Sequence, residues 1–438
     1  MIRMKRSLFW IRLLACLCIS LPAFAENWPQ WRGPRGDGTS LDKAPTTWDG
    51  ETGKNVVWKV ALPGEGHSSP IVFDDRVFVT GCDPETEARL LVCLDRKTGD
   101  VVWKKEVLRS KLESKHALNS YASSTPSTDG ELIYVTFLEV NSEQVEAPNV
   151  GSNGRMIYTG QMVAAAYDFD GNRKWLVRPG GFLSAHGFCS NPIPFEDKVI
   201  INGDHDGDSY IVALDKKSGS DVWKSKRRHQ TRSYVTPLIR EIEGKPQMVL
   251  SGSKCIASFD PRTGDRNWNV EGPTEQFVAS MVFDGSTFFA VGGYPTHHAI
   301  AIRPNGKGDV SETHVAWHKT NIRCYVPSPV IVGPYFVVAD DRGTANCFDR
   351  KTGERHWQTR MGKHYSPSLV TSNGLVYFQA DDGITKLLRP GPKPDVVHEN
   401  KLGEDVFSSP AISNGQLFIR GEEHLFCISS GDANAGAK

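Results

Sequence analysis

The chain has 438 residues, and its 51 Lys and Arg residues are balanced by 51 Asp and Glu residues, so that the formal net charge is zero. This balance gives no basic footprint for nucleic acid or for an anionic membrane surface, and no segment beyond the N-terminus is long and apolar enough to span a bilayer. Length alone predicts about three domains, whereas an internal repeat of roughly 45 residues predicts one.

Residues 1–25 have the pattern of a secretory signal peptide. Three basic residues precede an apolar stretch, and Ala23-Phe24-Ala25 supplies a cleavage site of small residues. We expect cleavage near Ala25 and a periplasmic or secreted protein. Its formal charge becomes −4, because the segment removed contains four basic residues and no acid. The run Leu13–Cys16 faintly resembles a lipoprotein signal, which leaves lipid anchoring open as an alternative to soluble export.

The pattern Asp-x-x-Thr/Ser-Gly-x-x-x-Trp occurs four times with identical spacing. The copies begin at Asp95, Asp215, Asp260 and Asp349, and their glycines are Gly99, Gly219, Gly264 and Gly353. Each copy lies between short apolar runs rich in β-forming residues, which predicts a hairpin whose turn is closed by the glycine at positive φ. The Trp stands on the outgoing strand. We expect its ring to cover the turn of a neighbouring unit and its N–H to point at a backbone carbonyl.

Degenerate copies raise the number of units to eight. The outgoing strands carry Trp58, Trp103, Trp175, Trp223, Trp268, Trp317 and Trp357, with an eighth strand near position 397. A second landmark, a Ser, Thr or Asn that Pro follows in most copies, opens eight apolar strands. It occurs at Ser69-Pro70, Thr125-Pro126, Asn191-Pro192, Thr236-Pro237, Ser280-Met281, Ser328-Pro329, Ser366-Pro367 and Ser409-Pro410. The first outgoing strand has no opening before it, and the last opening has no outgoing strand after it.

These counts predict an all-β fold, an eight-bladed β-propeller of four-stranded antiparallel blades over residues 55–430. Closure follows if the strand around Trp58 completes the C-terminal unit Phe407–Ser429, so that N- and C-terminal strands share one blade and leave no open edge in the ring. An extended segment, 26–54, precedes the propeller, and a flexible tail, 431–438, follows it.

Seven cysteines remain after residue 25, and the repeat argues against a disulfide framework. Cys93, Cys347 and Cys427 stand two residues before the turn acid, or its equivalent, where other copies have Ala or Ser. That is a position for a small buried residue, which Cys fills as a small hydrophobe. Cys82 and Cys93 flank one hairpin, and a bond between them stays open. The sequence contains no C-x-x-C pattern, and we expect no metal site.

The candidate binding site lies at the mouth of the central channel, on the face opposite the Thr-Gly turns. The long insertions 106–119, 139–161 and 203–208 are predicted on that face, where loops carry function. Polar residues that precede each inner strand would ring the mouth: His67, Asn119, His186, Arg232, Gln276, Arg323, His364 and Asp405. Aromatic neighbours would form its floor, as a ligand site needs. The alternative is that these side chains only solvate the mouth of a water-filled channel.

Two smaller patterns have plainer interpretations. Asp204-His205-Asp206-Gly207-Asp208 resembles the start of a calcium loop, but its glycine is misplaced, so that a hairpin tip rich in turn formers explains it better. His297-His298 is also predicted at a hairpin tip, as solvent-exposed polarity.

The repeat resembles the tryptophan-docking repeat of pyrroloquinoline-quinone (PQQ) type propellers, and the opening Asn27–Pro34 is similar to the start of exported PQQ-like repeat proteins. One branch of that superfamily, the quinoprotein alcohol and sugar dehydrogenases, binds PQQ with calcium and often has a disulfide between adjacent cysteines, a pair that this chain lacks. The other branch is non-catalytic and similar to the lipoprotein scaffold of the outer-membrane β-barrel assembly machine, which binds partner proteins or unfolded strands through its loops.

The resemblance implies an exported binding or scaffold module without a cofactor. We expect a monomer that binds a protein partner or a small ligand at its loops, with no nucleic acid and no membrane span. One alternative is a PQQ-dependent dehydrogenase oxidising alcohols or aldoses, in which Arg232, Arg323 and His186 would hold the quinone carboxylates. The other is a glycan-binding propeller that uses the aromatic residues.

Overall fold

Short runs of β-branched and aromatic residues, separated by turns, form every regular element that the structure describes. The structure is a computed structural model, and it describes residues 26–148, 154–320 and 322–430. The strands make eight sheets in which consecutive strands are antiparallel. The predicted signal peptide 1–25 and tail 431–438 lie outside the described residues. Within them, no helix has the length and apolar character needed to cross a bilayer.

Each sheet is one blade, numbered here in chain order from its innermost strand outward. Blade 1 contains Ile71–Phe73, Arg76–Asp83, Ala88–Asp95 and Val101–Arg109. Blade 2 contains Ser127–Thr128, Ile133–Glu146, Met156–Tyr167 and Arg173–Phe182. Blade 3 contains Ile193–Phe195, Lys198–Gly203, Tyr210–Asp215 and Asp221–Lys226. Blade 4 contains Leu238–Ile242, Lys245–Gly252, Cys255–Phe259 and Arg266–Glu271, with Gly308–Asp309 added in parallel.

The remaining blades follow the same plan. Blade 5 contains Val282–Phe283, Phe288–Gly292, His298–Ile302 and Val315–Thr320. Blade 6 contains Val330–Val332, Tyr335–Ala339, Thr344–Asp349 and Arg355–Arg360. Blade 7 contains Val370–Ser372, Leu375–Gln379, Ile384–Arg389 and Asp395–Lys401, with Thr39–Ser40 added in parallel. Blade 8 contains Ala411–Ser413, Gln416–Arg420, His424–Ser429 and Val56–Ala61.

Blade 8 closes the ring in the predicted way. The N-terminal strand Val56–Ala61 pairs antiparallel with the C-terminal strand His424–Ser429, and Trp58 lies opposite Cys427. The prediction of eight blades closed by strands from both ends of the chain is therefore confirmed.

The tryptophans of the outgoing strands join each blade to the next. Trp58 Nε1 donates to the carbonyl of Arg96, the residue after the turn acid of blade 1, at 2.9 Å. The same bond, to the same position of the next turn, is made by Trp103, Trp175, Trp223, Trp268, Trp317 and Trp357 at 2.8–3.2 Å. The glycine of that turn lies beneath the ring. A Cβ on Gly99 would come within 2.8 Å of the Trp58 indole, and its φ of +79° already disfavours a side chain.

The tryptophans also explain the small residues two positions before each turn acid. Cys93 lies directly across the hairpin from Trp103, Cys347 from Trp357, and Ala213 from Trp223. A large ring on one strand leaves room only for a small side chain opposite it. All seven described cysteines are free, Cys82 and Cys93 included.

The Ser, Thr and Asn residues of the second landmark form a closed ring of hydrogen bonds around the channel. In each blade the backbone N–H donates to the side chain of the next member, at 2.7–3.0 Å. The members are Ser69, Thr125, Asn191, Thr236, Ser280, Ser328, Ser368 and Ser409. Asn191 is the exception, because it donates to Thr236 with its side-chain amide nitrogen instead of its backbone N–H. In blade 7 the member is Ser368, two residues beyond the Ser366 that the sequence pattern indicated.

Two faces follow from this topology. The turn face carries the Thr-Gly turns, and the loop face carries the connections between blades and those between the second and third strands of each blade. The first part of the segment 26–54 lies on the turn face, and its last part reaches the loop-face end of the outer strand of blade 7, where Gly50 N donates to the Lys401 carbonyl at 2.9 Å. The first part reaches blades on opposite sides of the ring: Arg240 of blade 4 donates to the Arg35 carbonyl, and Ser413 of blade 8 donates to the Glu26 carbonyl at 2.7 Å. The segment therefore crosses the channel axis and covers its turn-face end.

On the loop face, blade 2 extends beyond the others. Its second and third strands, Ile133–Glu146 and Met156–Tyr167, continue as a ladder through the pair Glu146 and Met156. The predicted insertion 139–161 is therefore largely a strand extension rather than a loop, apart from residues 149–153, which lie outside the described residues. The extension rests on the blade 2–3 connection, where Ala147, Ile157 and Ala185 pack together.

Candidate functional site

The mouth of the channel on the loop face brings several of the predicted polar residues into contact. Arg232 Nε lies 3.2 Å from His186 Nδ1, and Asn119 Nδ2 donates to the His186 carbonyl at 2.8 Å. These residues come from three successive connections, between blades 1 and 4. On this side, the mouth is a bonded network rather than a set of separate solvated groups.

Arg232 is the centre of that network and is almost completely buried. Its Nη1 donates to both carboxylate oxygens of Asp206, at 2.9 and 2.8 Å. Burial, followed by the neighbouring Arg232 charge, lowers the pKa of His186 to about 4, so that the imidazole is neutral at physiological pH and accepts from Arg232. The guanidinium is thus held by an acid and a neutral imidazole.

The segment with the calcium-like pattern is part of the same buried structure. Asp204 accepts from Arg227 Nε at 2.7 Å and from Ser233 Oγ at 2.7 Å, and both charged side chains are buried. The interpretation of 204–208 as a plain hairpin tip was incomplete, because two of its acids are counter-ions to buried arginines. The sequence contains one sign of these pairs that the prediction did not use. Every second residue of 204–208 is an Asp, and the arginines at 227 and 232 follow in the next connection.

A third buried ion pair fixes the blade 1–2 connection. Arg89, on the third strand of blade 1, donates to Glu113 at 2.6 Å and also to the carbonyls of Ser110 and Lys111. Sequence reasoning placed 106–119 as an insertion but gave no partner to either charge. The pair holds that insertion against the mouth, and Asn119 follows it there.

Gln276 and the neighbouring connections form the next part of the mouth. The Tyr325 hydroxyl donates to Gln276 Oε1 at 3.3 Å, and Asp341 accepts the backbone N–H groups of Tyr325 and Val326 at 3.1 and 2.8 Å. Gln276 Nε2 is buried and has no hydrogen-bond partner among the described residues.

The remaining predicted residues lie separately around the ring. His364 Nδ1 is 2.5 Å from Asp381 Oδ2, within blade 7 and its preceding connection. Asp405 is exposed and makes no side-chain contact with the other predicted residues. The His67 ring stacks on Phe407, with centroids 4.6 Å apart. The structure thus connects three of the eight predicted residues directly and leaves the others distributed over the mouth.

The predicted aromatic floor is only partly accessible. Phe188, Phe277 and Tyr365 are buried beneath the mouth and belong to the cores of the blades. Tyr234 and Tyr325 are half-buried, and Phe407 is covered by His67. A continuous aromatic surface is therefore absent from the part of the mouth that the structure describes.

A cleft of about 790 Å³ opens on the loop face between blades 5 and 6. It is lined by Pro295, Thr296, His297, His298, Thr320, Arg323, Asp340, Asp341 and Arg342. Arg323 is exposed there. His298, expected to be exposed, is buried instead, because its Nδ1 contacts His318 Nε2 at 2.9 Å and its Nε2 contacts Thr296 Oγ1 at 2.8 Å. The cleft combines both signs of charge with an accessible volume.

The polar groups of the mouth do not fit a site for PQQ with calcium. A quinone carboxylate needs a cation with donors to spare, whereas Arg232 already donates to Asp206. A calcium ion needs several carboxylates free of other cations, whereas Asp204 and Asp206 each receive an arginine. Arg323, the other arginine considered for the quinone, lies apart in the cleft between blades 5 and 6.

One group of metal-ligating side chains occurs among the described residues, on the loop face of blade 8. Glu404, Glu423 and His424 approach one another closely. The Glu404 carboxylate accepts the backbone N–H of His424 at 2.9 Å and lies 2.8 Å from its Nδ1. These bonds account for the position of Glu404 as a cap on the loop, without an ion.

Comparison with known proteins gives a family and a fold. The family model described as "Outer membrane protein assembly factor BamB" matches residues 42–142, 139–359 and 313–389, which together cover most of the chain. BamB from Burkholderia pseudomallei (strain K96243) is 29% identical over 111 residues, which are 25% of this chain and 29% of the relative, so that the match spans less than a third of that protein.

Two solved structures are similar in fold. BamB from Moraxella catarrhalis aligns with 85% of this chain and 99% of its own, with a TM-score of 0.57 and 12% identity. A quinohemoprotein alcohol dehydrogenase from Pseudomonas putida HK5 aligns with 94% of this chain and 81% of its own, with a TM-score of 0.51 and 11% identity. At these identities the likeness supports the propeller fold alone.

Proposed function

Because the chain belongs to the family described as outer membrane protein assembly factor BamB, we propose that it is an exported scaffold that binds a protein partner with its loop face. We place it in the periplasm, as the signal-like segment 1–25 suggests. The partner is a component of, or a client for, outer-membrane protein assembly.

The observation that carries this proposal is the difference in accessibility between the two ends of the channel. Segment 26–54 covers the turn-face end, through contacts such as Arg32 with the Leu369 carbonyl. The loop face retains the cleft of about 790 Å³ and exposed charged side chains such as Arg323 and Asp405. Accessible loops on a rigid ring are suited to holding another protein.

The chemistry of the mouth favours binding over catalysis. Three of its buried arginines are each paired with a carboxylate, as Arg232 is with Asp206, and so these charges are not available to activate a substrate. The cleft contains Arg323, Asp340 and Arg342, a mixture of charges typical of the polar rim of a protein–protein interface.

Site-specific photo-crosslinking tests the proposal. A photoreactive residue would replace Arg323 or Asp405 on the loop face, and Lys97 or Lys351 on the turn face as controls, since all four side chains are exposed. We expect loop-face positions to give defined crosslinked partners in cells, with outer-membrane assembly components among them, and turn-face positions to give none.

Crosslinks confined to the turn face would contradict the proposal. Dye-linked oxidation of alcohols or aldoses by the purified chain after addition of PQQ and calcium would also contradict it, in favour of a dehydrogenase.

A further inference from the structure

Five arginines are almost completely buried in the described residues, and they differ in their counter-ions. Arg89, Arg227 and Arg232 each have a carboxylate at 2.6–2.8 Å. Arg32 and Arg420 have no described carboxylate within ion-pair distance, although Asp37 partly offsets the charge of Arg32. The Arg420 side chain is 1% exposed, and its burial, with no charged neighbour contributing, lowers its pKa to about 9. A buried cation without an anion is energetically costly.

The structural role of Arg420 uses only part of its guanidinium. Nη1 donates to the carbonyls of Ser68, at 3.3 Å, and of Thr80, at 2.7 Å, and to Ser68 Oγ at 2.7 Å. These bonds join blade 8 to blade 1. Neither Nε nor Nη2 has a hydrogen-bond partner among the described residues, and Nε is fully buried.

Other blades make the equivalent junction with short neutral side chains. Strand register places Thr80 of blade 1 and Thr136 of blade 2 at the position of Arg420. Thr80 Oγ1 donates to the Ser124 carbonyl at 2.9 Å, and Thr136 Oγ1 donates to the Ser190 carbonyl. Since a threonine suffices for the junction, the charge and the two unused donors of Arg420 are not explained by it.

The unused Nη2 lies against a glycine at the mouth. A Cβ on Gly66 would come within 2.8 Å of Arg420 Nη2 and within 3.0 Å of both the Cβ and the carbonyl oxygen of Ala122. The backbone of Gly66 is outside the left-handed region, so that these close contacts with Arg420 and Ala122, rather than the local conformation, call for glycine. Gly66 immediately precedes His67, which the sequence indicated as a residue of the mouth.

The potential at this corner of the mouth is positive. Burial first, and then the charges of Arg420 and Lys115, lower the pKa of His67 to about 3, and no acid raises it. Lys115 has no described ion-pair partner and lies over the Tyr121 ring at 5.0 Å. An anion that arrives here meets the charges of Arg420 and Lys115, with the exposed Glu65 as the acid adjacent to Gly66.

We propose that Arg420 binds a carboxylate at the corner of the mouth between blades 8 and 1, through Nη2. A hydrogen bond from a guanidinium N–H to a carboxylate oxygen is charge-assisted and therefore short and strong. Nε is fully buried behind Nη2 and takes no part in the binding. The carboxylate belongs either to a small free acid or to an acidic residue of a polypeptide.

The first experiment titrates sodium acetate into the full chain and follows the His67 imidazole by NMR. His67→Gln identifies the resonance, and sodium chloride at equal ionic strength is the reference. We expect a saturable shift with acetate that chloride does not produce. Arg420→Thr is the matched variant, because it keeps the threonine that makes the junction in blades 1 and 2. We expect it to fold and to weaken acetate binding at least tenfold.

A second variant keeps the charge and blocks the space. Gly66→Ala places a methyl group next to Nη2, and we expect it to weaken acetate binding severalfold while Arg420 remains. The proposal is wrong if acetate acts as chloride does, if Arg420→Thr responds as the natural chain does, or if Gly66→Ala has no effect.

A labelled hexaglutamate peptide, with hexaglutamine as its uncharged control, distinguishes the two sources of the carboxylate. Hexaglutamate binding that Arg420→Thr abolishes assigns the site to polypeptide carboxylates. Acetate binding without hexaglutamate binding assigns it to a small free acid. Neither result depends on the crosslinking experiment, since the probes require no cellular partner.

Discussion

The two faces of the propeller are stabilised in different ways. On the turn face, one interaction is repeated seven times: an indole N–H donates to the carbonyl at the same position of the next blade's turn, as Trp58 does to Arg96. On the loop face, the buried ion pairs Arg89–Glu113 and Arg227–Asp204 each occur once. The repeated tryptophan contacts hold the ring together, whereas ion pairs that occur once fix the loops of the face on which a partner would bind.

The difference has an energetic side. A docked indole contributes buried area and one hydrogen bond, and losing the bond costs little. A buried ion pair contributes little net stability while it is intact, since both charges were desolvated, but removing one partner leaves an uncompensated charge. The loop face should therefore be the more sensitive of the two to single substitutions.

Asp204→Ala tests that sensitivity and has the largest expected effect. It leaves the buried Arg227 without its carboxylate and Ser233 without an acceptor. We expect a loss of about 3–5 kcal/mol in the free energy of unfolding, measured by chemical denaturation. Asp208→Ala, at an exposed acid of the same segment, is the control, and we expect a change within about 0.5 kcal/mol. Equal effects would remove the distinction between the faces.

The turn face could be predicted from the sequence because it repeats. Eight copies of a pattern give the blade count, and the offset between first and last copies gives the closure through Trp58 and Cys427. The ring of hydrogen bonds was visible as the Ser/Thr-Pro landmark, although its member in blade 7 is Ser368 rather than Ser366. In blade 7 a Ser-Pro pair occurs at Ser366, two residues before Ser368, and only the register of the strands shows that Ser368 is the member of the ring.

The loop face could not be predicted in the same way. Arg89 and Glu113 are 24 residues apart, and Arg420 reaches Ser68 from the other end of the chain. A single sequence contains no period that relates such pairs. Counting polar residues before each inner strand located the mouth, but it did not show that Arg232 is held by Asp206.

The faces should also differ in their response to pH. With a folded pKa of about 3 against about 6.5 when unfolded, His67 is protonated only in the unfolded state between those values. Stability is therefore lost as pH falls through this window, by about 1.4 kcal/mol per unit, or about 2 kcal/mol at pH 5. On the turn face, hydrogen bonds to Thr98 and Lys97 lower the pKa of Asp95, so its contribution is lost only at more acidic pH.

Chemical denaturation of the natural chain and of His67→Gln between pH 7 and pH 5 measures this response. We expect the variant to lose less stability than the natural chain over that range, because glutamine does not titrate. An identical pH dependence in both would show that His67 takes up its proton equally in the folded and unfolded states.

The smallest effect, and the most uniform, is expected on the turn face. Trp175→Phe and Trp357→Phe keep an aromatic ring over the next turn but remove the N–H that donates to Lys216 at 2.8 Å and to Gly391 at 2.9 Å. Each substitution should cost about 1 kcal/mol, and the two values should agree within about 0.5 kcal/mol, as measured by chemical denaturation. The two turns differ in sequence, since the second has lost its acid, so agreement would mean that the indole and the carbonyl alone set the strength of the contact. Disagreement beyond that margin would mean that the residues of each turn change the strength of the contact. The tryptophan contacts on the turn face would then share one geometry but differ in their contribution to stability.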